Sequence, residues 1–242
     1  MMNRKTIVYS NKRRKKRRKT LLGTYILMVA AVLMFAVGLK LVIVHWSSPA
    51  PGLTVSSGIW EGDWRLMLVN RWNPVPEDYT VELTELWNGE SVDSRIYPDL
   101  QEMFDSARAA GFNPYVNAGY RTNQVQQSLM DQEIQDNMAE GYSEKEARRL
   151  AEQWVAVPGT SEHEIGLAVD ISMEDTVSQS RSEVWQWLME NSYKYGFILR
   201  YPEDKTDITG IGYEPWHYRY VGKEAAEEIY RKGICLEEYL DN

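Results

Sequence analysis

Two short runs hold the residue types best suited to chemistry. Ser161-Glu162-His163-Glu164-Ile165-Gly166-Leu167-Ala168-Val169-Asp170 sets a histidine and an aspartate seven positions apart. Glu214-Pro215-Trp216-His217 supplies a second histidine with a carboxylate three positions before it. The chain has three histidines, and the third, His45, follows a long apolar run near the start. Two imidazoles, one carboxylate and a water complete a four-coordinate zinc site with an open position, so His163, Asp170 and His217 are the candidate ligands. Such a site lowers the pKa of its water toward about 7 and polarises a carbonyl as a Lewis acid. It then needs a carboxylate that is not a ligand to take the water's proton. Glu214 is the first candidate, because Pro215 holds it rigidly in one segment with His217; Glu162 and Glu164 are alternatives.

Strand periodicity supplies the positioning. Over Leu167–Ser172 the alternation places Leu167, Val169 and Ile171 on one face and Ala168, Asp170 and Ser172 on the other. Over Trp216–Val221 it places Trp216, Tyr218 and Tyr220 opposite His217, Arg219 and Val221. Each strand thus buries an apolar face and directs its candidate ligand the other way. If the two strands are neighbours, Asp170 and His217 converge, and His163 arrives from the turn before the first strand. Arg219 reads as an ordinary surface salt-bridge former.

Around these strands the sequence predicts helices. Leu100–Ala110 is capped by Asp99 with Glu102 and ended by Gly111. A strand over 114–119 leads into Tyr120-Arg121-Thr122. Further helices run from Asn123 to Glu140, from Ser143 with Glu146 closing its capping box, and from Ser180 with Glu183. The Ser143 helix carries Ala147, Leu150, Ala151 and Trp154 on one stripe, and the Ser180 helix turns Val184, Trp185, Leu188 and Met189 inward. Phe197–Arg200 is strand-like, Tyr201–Gly212 is a polar loop, and Glu224–Lys232 is a last short helix. Trp60–Arg95 reads as a lead-in with one or two short strands, its tryptophans packed on the core, with carbohydrate binding as the alternative role for them. Helices separated by isolated strands imply an α+β domain with a small antiparallel sheet.

Charge and hydropathy set the topology. Of the 27 Lys and Arg, 10 fall between Arg4 and Lys19, whereas residues 46–242 hold 16 of them and all 35 Asp and Glu, a net charge of −19. A folded part this acidic argues against nucleic-acid binding. Leu21 to Val44 is a 24-residue apolar run interrupted by Gly, Thr, Tyr and Lys40. As a helix it spans roughly 36 Å, enough for a hydrocarbon core of about 30 Å. It exceeds the apolar region of about 7–15 residues typical of a cleaved signal peptide. Bases before it and none just after place the N-terminus in the cytoplasm. The expected order is a basic cytoplasmic segment (1–20), a transmembrane anchor (21–45), a Ser/Pro/Gly-rich linker (46–59) and an extracytoplasmic catalytic domain (60–242). The single cysteine, Cys235, forms no intramolecular disulfide and reads as a small, partly buried apolar residue.

The pattern Ser161-x-His163-x-x-Gly166-x-Ala168-x-Asp170, followed by Glu214-Pro215-Trp216-His217, resembles the signature of VanY-type D-alanyl-D-alanine carboxypeptidases, within the LAS group of zinc metallopeptidases. The resemblance extends to Gly119-Tyr120-Arg121-Thr122 with Gln126, and covers roughly Leu66–Tyr230. It implies that His163, Asp170 and His217 bind zinc and that Glu214 is the catalytic base. It also implies that Arg121 stabilises the transition state and anchors substrate, and that Ser161 and Gln126 help hold the substrate's terminal carboxylate. The family more often has Ser at the positions of Ala118 and Thr122; neither departure touches a ligand. Removal of C-terminal D-alanine from peptidoglycan stem peptides is the activity implied, and an extracytoplasmic domain disfavours a cytoplasmic D-Ala-D-Ala dipeptidase. An L,D-carboxypeptidase acting on tetrapeptide stems shares the metal machinery. A non-catalytic, zinc-containing wall-binding module would keep the fold, but intact Glu214 and Arg121 argue against it. A structural protein on a membrane stalk would bind no metal.

Overall fold

The computed structural model describes residues 62–173 and 180–241. The expected basic segment, anchor and linker lie outside the described residues. Among the described residues no helix is long and apolar enough to cross a membrane.

The lead-in forms a two-stranded antiparallel hairpin, β1 (Leu83–Glu85) with β2 (Ser91–Asp93). The principal sheet has four antiparallel strands: β3 (Tyr115–Ala118), β4 (Ala168–Ser172), β5 (Phe197–Leu199) and β6 (His217–Tyr220), in the order β3-β4-β6-β5. The expected neighbour relation between the two motif strands is met directly, with Asp170 opposite His217 in the β4–β6 register. Seven helices of the α type accompany the strands among the described residues. They are α1 (Tyr97–Ala109), α2 (Asn123–Ala139), α3 (Glu144–Ala151), α4 (Arg181–Asn191), α5 (Thr206–Thr209), α6 (Lys223–Lys232) and α7 (Leu236–Leu240). The α+β class and its small antiparallel sheets are as expected.

One face of the sheet enters the main hydrophobic core. Leu167, Val169 and Ile171 of the β4 segment meet Tyr218 and Tyr220 of β6 there, with Leu100, Met103 and Phe104 of α1 and Val184 and Leu188 of α4. Removing each of these side chains from water contributes roughly 1.5–3 kcal/mol, which ties the strand faces to one orientation. A smaller cluster joins Ile198, Val221 and Leu236 to Ala225, Ala226 and Ile229 of α6. A third joins Met130 and Ile134 of α2 to Ala147 and Ala151 of α3.

Several local expectations are corrected. Helix α1 begins at Tyr97 with Ile96, which has no side-chain acceptor, at its N-cap and with Pro98 in its first turn. Asp99 lies inside that turn, accepting from Tyr220 Oη at 2.6 Å and pairing with Lys223 at 3.0 Å. Ser143 does accept from the Glu146 amide, and the Ser180–Glu183 capping box forms as predicted. Trp154 leaves the α3 stripe: the helix ends at Ala151, and the half-exposed indole lies against Gly212. Trp64 packs on the core, but Trp72 is 61% and Trp87 85% exposed, so the packing assignment fails for these two. The loop after β5 contains α5, and α7 was not expected at all. Cys235 is buried, as predicted.

Candidate metal centre

His163 sits in a single turn of 3-10 helix, Glu162–Ile165, for which Ser161 is the N-cap. The Ser161 hydroxyl accepts from the His163 amide at 3.3 Å. Glu164 completes a capping box, taking the amides of Ser161 at 3.2 Å and Gly159 at 2.8 Å on one oxygen and Asn123 Nδ2 at 2.9 Å on the other. Gly166 follows at φ +72°, a left-handed conformation that favours glycine, and turns the chain into β4. His163 is thereby aimed at Asp170, while cross-strand pairing delivers His217.

The three expected ligands converge. His163 Nε2 lies 3.3 Å and His217 Nδ1 3.2 Å from Asp170 Oδ1, and one donor atom from each residue falls within 4.8 Å of the others. Asp170 Oδ1 is buried with no hydrogen-bond partner among the described residues, although a ring nitrogen of each histidine faces it. Buried polar atoms are normally satisfied, so this orphaned oxygen between two imidazoles fits a cation. The second carboxylate oxygen accepts from Arg121 Nη2 at 2.8 Å. His163 Nδ1 donates to the Gly119 carbonyl at 2.7 Å, which leaves the Nε2 lone pair free to coordinate. Two nitrogens and one oxygen suit Zn2+.

Burial and neighbouring charges pull the groups of this cluster in different directions. Burial depresses the His163 pKa to about 4, with Arg121 adding to the effect, so its ring is neutral at pH 7. Burial acts the same way on His217, but Asp170, Glu162 and Glu214 outweigh it and raise its pKa to about 9. Burial alone would raise the Asp170 pKa; the two histidines outweigh it and hold the carboxyl well below its ordinary range. Glu214 goes the other way, as burial and the neighbouring Asp170 push it up to about 7 despite His217 and Arg121. Its Oε2 is 3.5 Å from His217 Nδ1, beside the ligand cluster.

A pocket of about 310 Å³ opens onto this cluster. Its walls include Arg121, Gln126, Ser161 and Glu214 with all three ligands, so every site residue predicted from the sequence lines it. Gln126 is buried, donates to the Ala156 carbonyl at 2.8 Å and accepts from Arg121 Nη1 at 3.5 Å. Arg121 is therefore held from two sides, by Gln126 and Asp170.

Neither alternative base, Glu162 nor Glu164, lines the pocket. Both Glu164 oxygens are used in the turn just described. Glu162 is fully buried and pairs with Arg200 and Arg219, each at 2.7 Å. Burial pushes its carboxyl up, but the two guanidiniums outweigh this and hold it well below its ordinary value. Arg219 is accordingly no surface residue; it is completely buried. Its place on the His217 face of β6 was the one sequence signal that could have shown this. Tyr201, whose ring lies 4.8 Å from His217, and Trp154 also line the pocket and carried no such signal.

Gly119 has a packing reason to be glycine. A Cβ there would meet the Ser91 carbonyl oxygen at 2.2 Å. Gly119→Ala is expected to destabilise the fold by about 1–3 kcal/mol, the usual range for overpacking. The midpoint of urea unfolding checks this; an unchanged midpoint contradicts it.

Comparison with known proteins gives a consistent result. Residues 89–223 match the VanY family of D-alanyl-D-alanine carboxypeptidases. A D-alanyl-D-alanine carboxypeptidase of Enterococcus faecalis is 58% identical over 181 residues, 75% of this chain and 67% of that protein. The crystal structure of a variant of the vancomycin resistance D,D-pentapeptidase VanY, from a VanB-type resistance cassette and in complex with Zn(II), aligns with a TM-score of 0.71. It is 58% identical and the alignment covers 74% of this chain and 99% of that one. VanYB in complex with D-alanine-D-alanine aligns with a TM-score of 0.72 at 57% identity, over the same shares.

Proposed function

Because this chain belongs to the VanY family of D-alanyl-D-alanine carboxypeptidases, we propose that it is a zinc carboxypeptidase removing the C-terminal D-alanine of peptidoglycan stem peptides. The observation that carries the reading is the meeting of His163, Asp170 and His217 in one pocket with Glu214 and Arg121. His163, Asp170 and His217 would hold the zinc through Nε2, Oδ1 and Nδ1. When bound, the zinc polarises the scissile carbonyl and acidifies the attacking water.

The remaining steps belong to the chain's own side chains. Glu214 takes the water's proton at its carboxylate and returns it to the leaving amine. A carboxyl with its pKa near neutrality can do both, and burial puts Glu214 there, at about 7. Arg121 presents a planar guanidinium to the developing oxyanion and to the terminal carboxylate. Gln126 sets its direction. Ser161 caps the His163 turn, and its hydroxyl, on the pocket wall, donates to the same carboxylate.

D,D-specificity is supported by the 58% identity to the VanY D,D-pentapeptidase structure over 99% of that chain, and by the 57% identity to VanYB, which was solved with D-alanine-D-alanine. The test is incubation of the protein with pentapeptide and tetrapeptide stems, with and without a chelator. D-Alanine is expected from the pentapeptide alone, and none after chelation. Release from the tetrapeptide alone would make the protein an L,D-carboxypeptidase. Zinc binding without release from either stem would make it a wall-binding module.

The domain acts outside the cell membrane, tethered by residues 21–45. The 24-residue apolar run and the ten bases before it support this, and a wall substrate lies on that side. Protease accessibility of the domain on intact protoplasts tests the placement; full protection would refute it.

A further inference from the structure

We propose that Glu162 is a positioning residue that fixes the tautomer of His217 and so its capacity to hold zinc. This rests on the ligation through His217 Nδ1 given above.

Glu162 is 0% exposed, and its two oxygens are treated very differently. Oε1 accepts from Arg200 Nε and Arg219 Nη1, both at 2.7 Å. Oε2 has no hydrogen-bond partner among the described residues and lies 3.6 Å from His217 Nε2, which has none there either. Two cations on one oxygen leave the other aimed at the imidazole. A carboxylate facing Nε2 keeps a proton there, so that when a metal binds it is Nδ1, 3.2 Å from Asp170 Oδ1, that gives up its proton and coordinates.

The network behind Glu162 is built so that it cannot turn. The far side of the Arg200 guanidinium makes a bidentate pair with Glu237 of α7, at 2.7 and 2.9 Å, and Glu237 accepts from Asn70 Nδ2 at 3.1 Å. Arg219 donates its other nitrogens to the carbonyls of Arg65 at 2.9 Å, Met67 at 2.8 Å and Tyr220 at 3.0 Å. The two carboxylates and two guanidiniums balance in charge and are all buried. Buried ion pairs of this kind are weak sources of net stability, since apolar replacements often do as well. What an apolar replacement could not supply is the single oxygen left pointing at the ligand.

Glu162→Gln preserves shape and separates positioning from packing. The amide oxygen must face the two guanidiniums, so the amide NH2 faces His217 Nε2 and demands a lone pair there. The imidazole proton then moves to Nδ1, where it blocks ligation. The zinc dissociation constant of the full chain, measured by competition with a chromophoric chelator, is expected to rise roughly 10–100-fold. Near-UV circular dichroism should stay unchanged. An unchanged dissociation constant in folded Glu162→Gln overturns the proposal.

A measurement on the unmutated zinc-loaded protein guards against a variant that fails to fold. Long-range 1H–15N spectra should show His217 ligating through Nδ1 with a proton on Nε2. Ligation through Nε2 overturns the proposal without any mutation. Absence of zinc binding by the unmutated protein would instead overturn the metal reading, and this inference with it.

Discussion

Replacing Glu214 with alanine is expected to lower kcat by about 10²–10⁴-fold, the usual contribution of a general acid–base group, while zinc stays bound. The reason is positional. Glu214 is not among the three convergent ligands, yet its Oε2 lies 3.5 Å from His217 Nδ1 on the pocket side of the cluster. Proline at 215 and the His217 amide, which donates to the Glu214 carbonyl at 3.1 Å, keep this segment rigid. The pH profile gives an independent reading with a definite sign. The base works when ionised, so kcat/KM rises as pH climbs through the Glu214 pKa. Burial puts that pKa at about 7, and a cation beside it draws it lower, so the acid limb lies below pH 7. In Glu214→Ala this limb should vanish from the residual activity. Unchanged turnover, or a limb that survives, would remove Glu214 from the role of base.

His217→Ala is expected to abolish both zinc binding and turnover. Loss of one of three protein ligands leaves His163 and Asp170, too few for a site that also keeps a position open. The Lewis acid is worth several kcal/mol of transition-state stabilisation, on the order of a thousandfold or more in rate. The sheet should survive the change, because the β4–β6 and β5–β6 pairings are made by backbone groups. Metal analysis of the purified variant decides the matter, and normal zinc content would refute the ligand set. The two variants separate the roles: one keeps metal and loses rate, the other loses both.

How much of this was legible beforehand depended on the range over which each force acts. Alternation over Leu167–Ser172 and Trp216–Val221 set the faces correctly, since apolar burial constrains a strand with a period of two. The Ser180–Glu183 box was legible because a cap acts within three residues. Trp154 was misplaced when helical periodicity was carried three residues beyond the end of α3. Trp72 and Trp87 were misplaced because aromatic composition does not reveal which side of a segment faces water.

The sequence by itself determined the α+β class and the strand faces that bring His163, Asp170, His217 and Glu214 to one pocket, because strand alternation and short motifs act over a few residues. Only the tertiary structure decided that Glu162 is bound rather than available for proton transfer. It also decided that Arg219 is buried and that α7 brings Glu237 to Arg200. Those facts depend on partners far apart in the chain: Glu162 and Arg219 are separated by 57 positions, Arg200 and Glu237 by 37, and Arg219 and Arg65 by 154. A charged side chain looks the same in sequence whether water or an opposite charge awaits it. The difference is made by desolvation, which exists only once distant segments have closed over it.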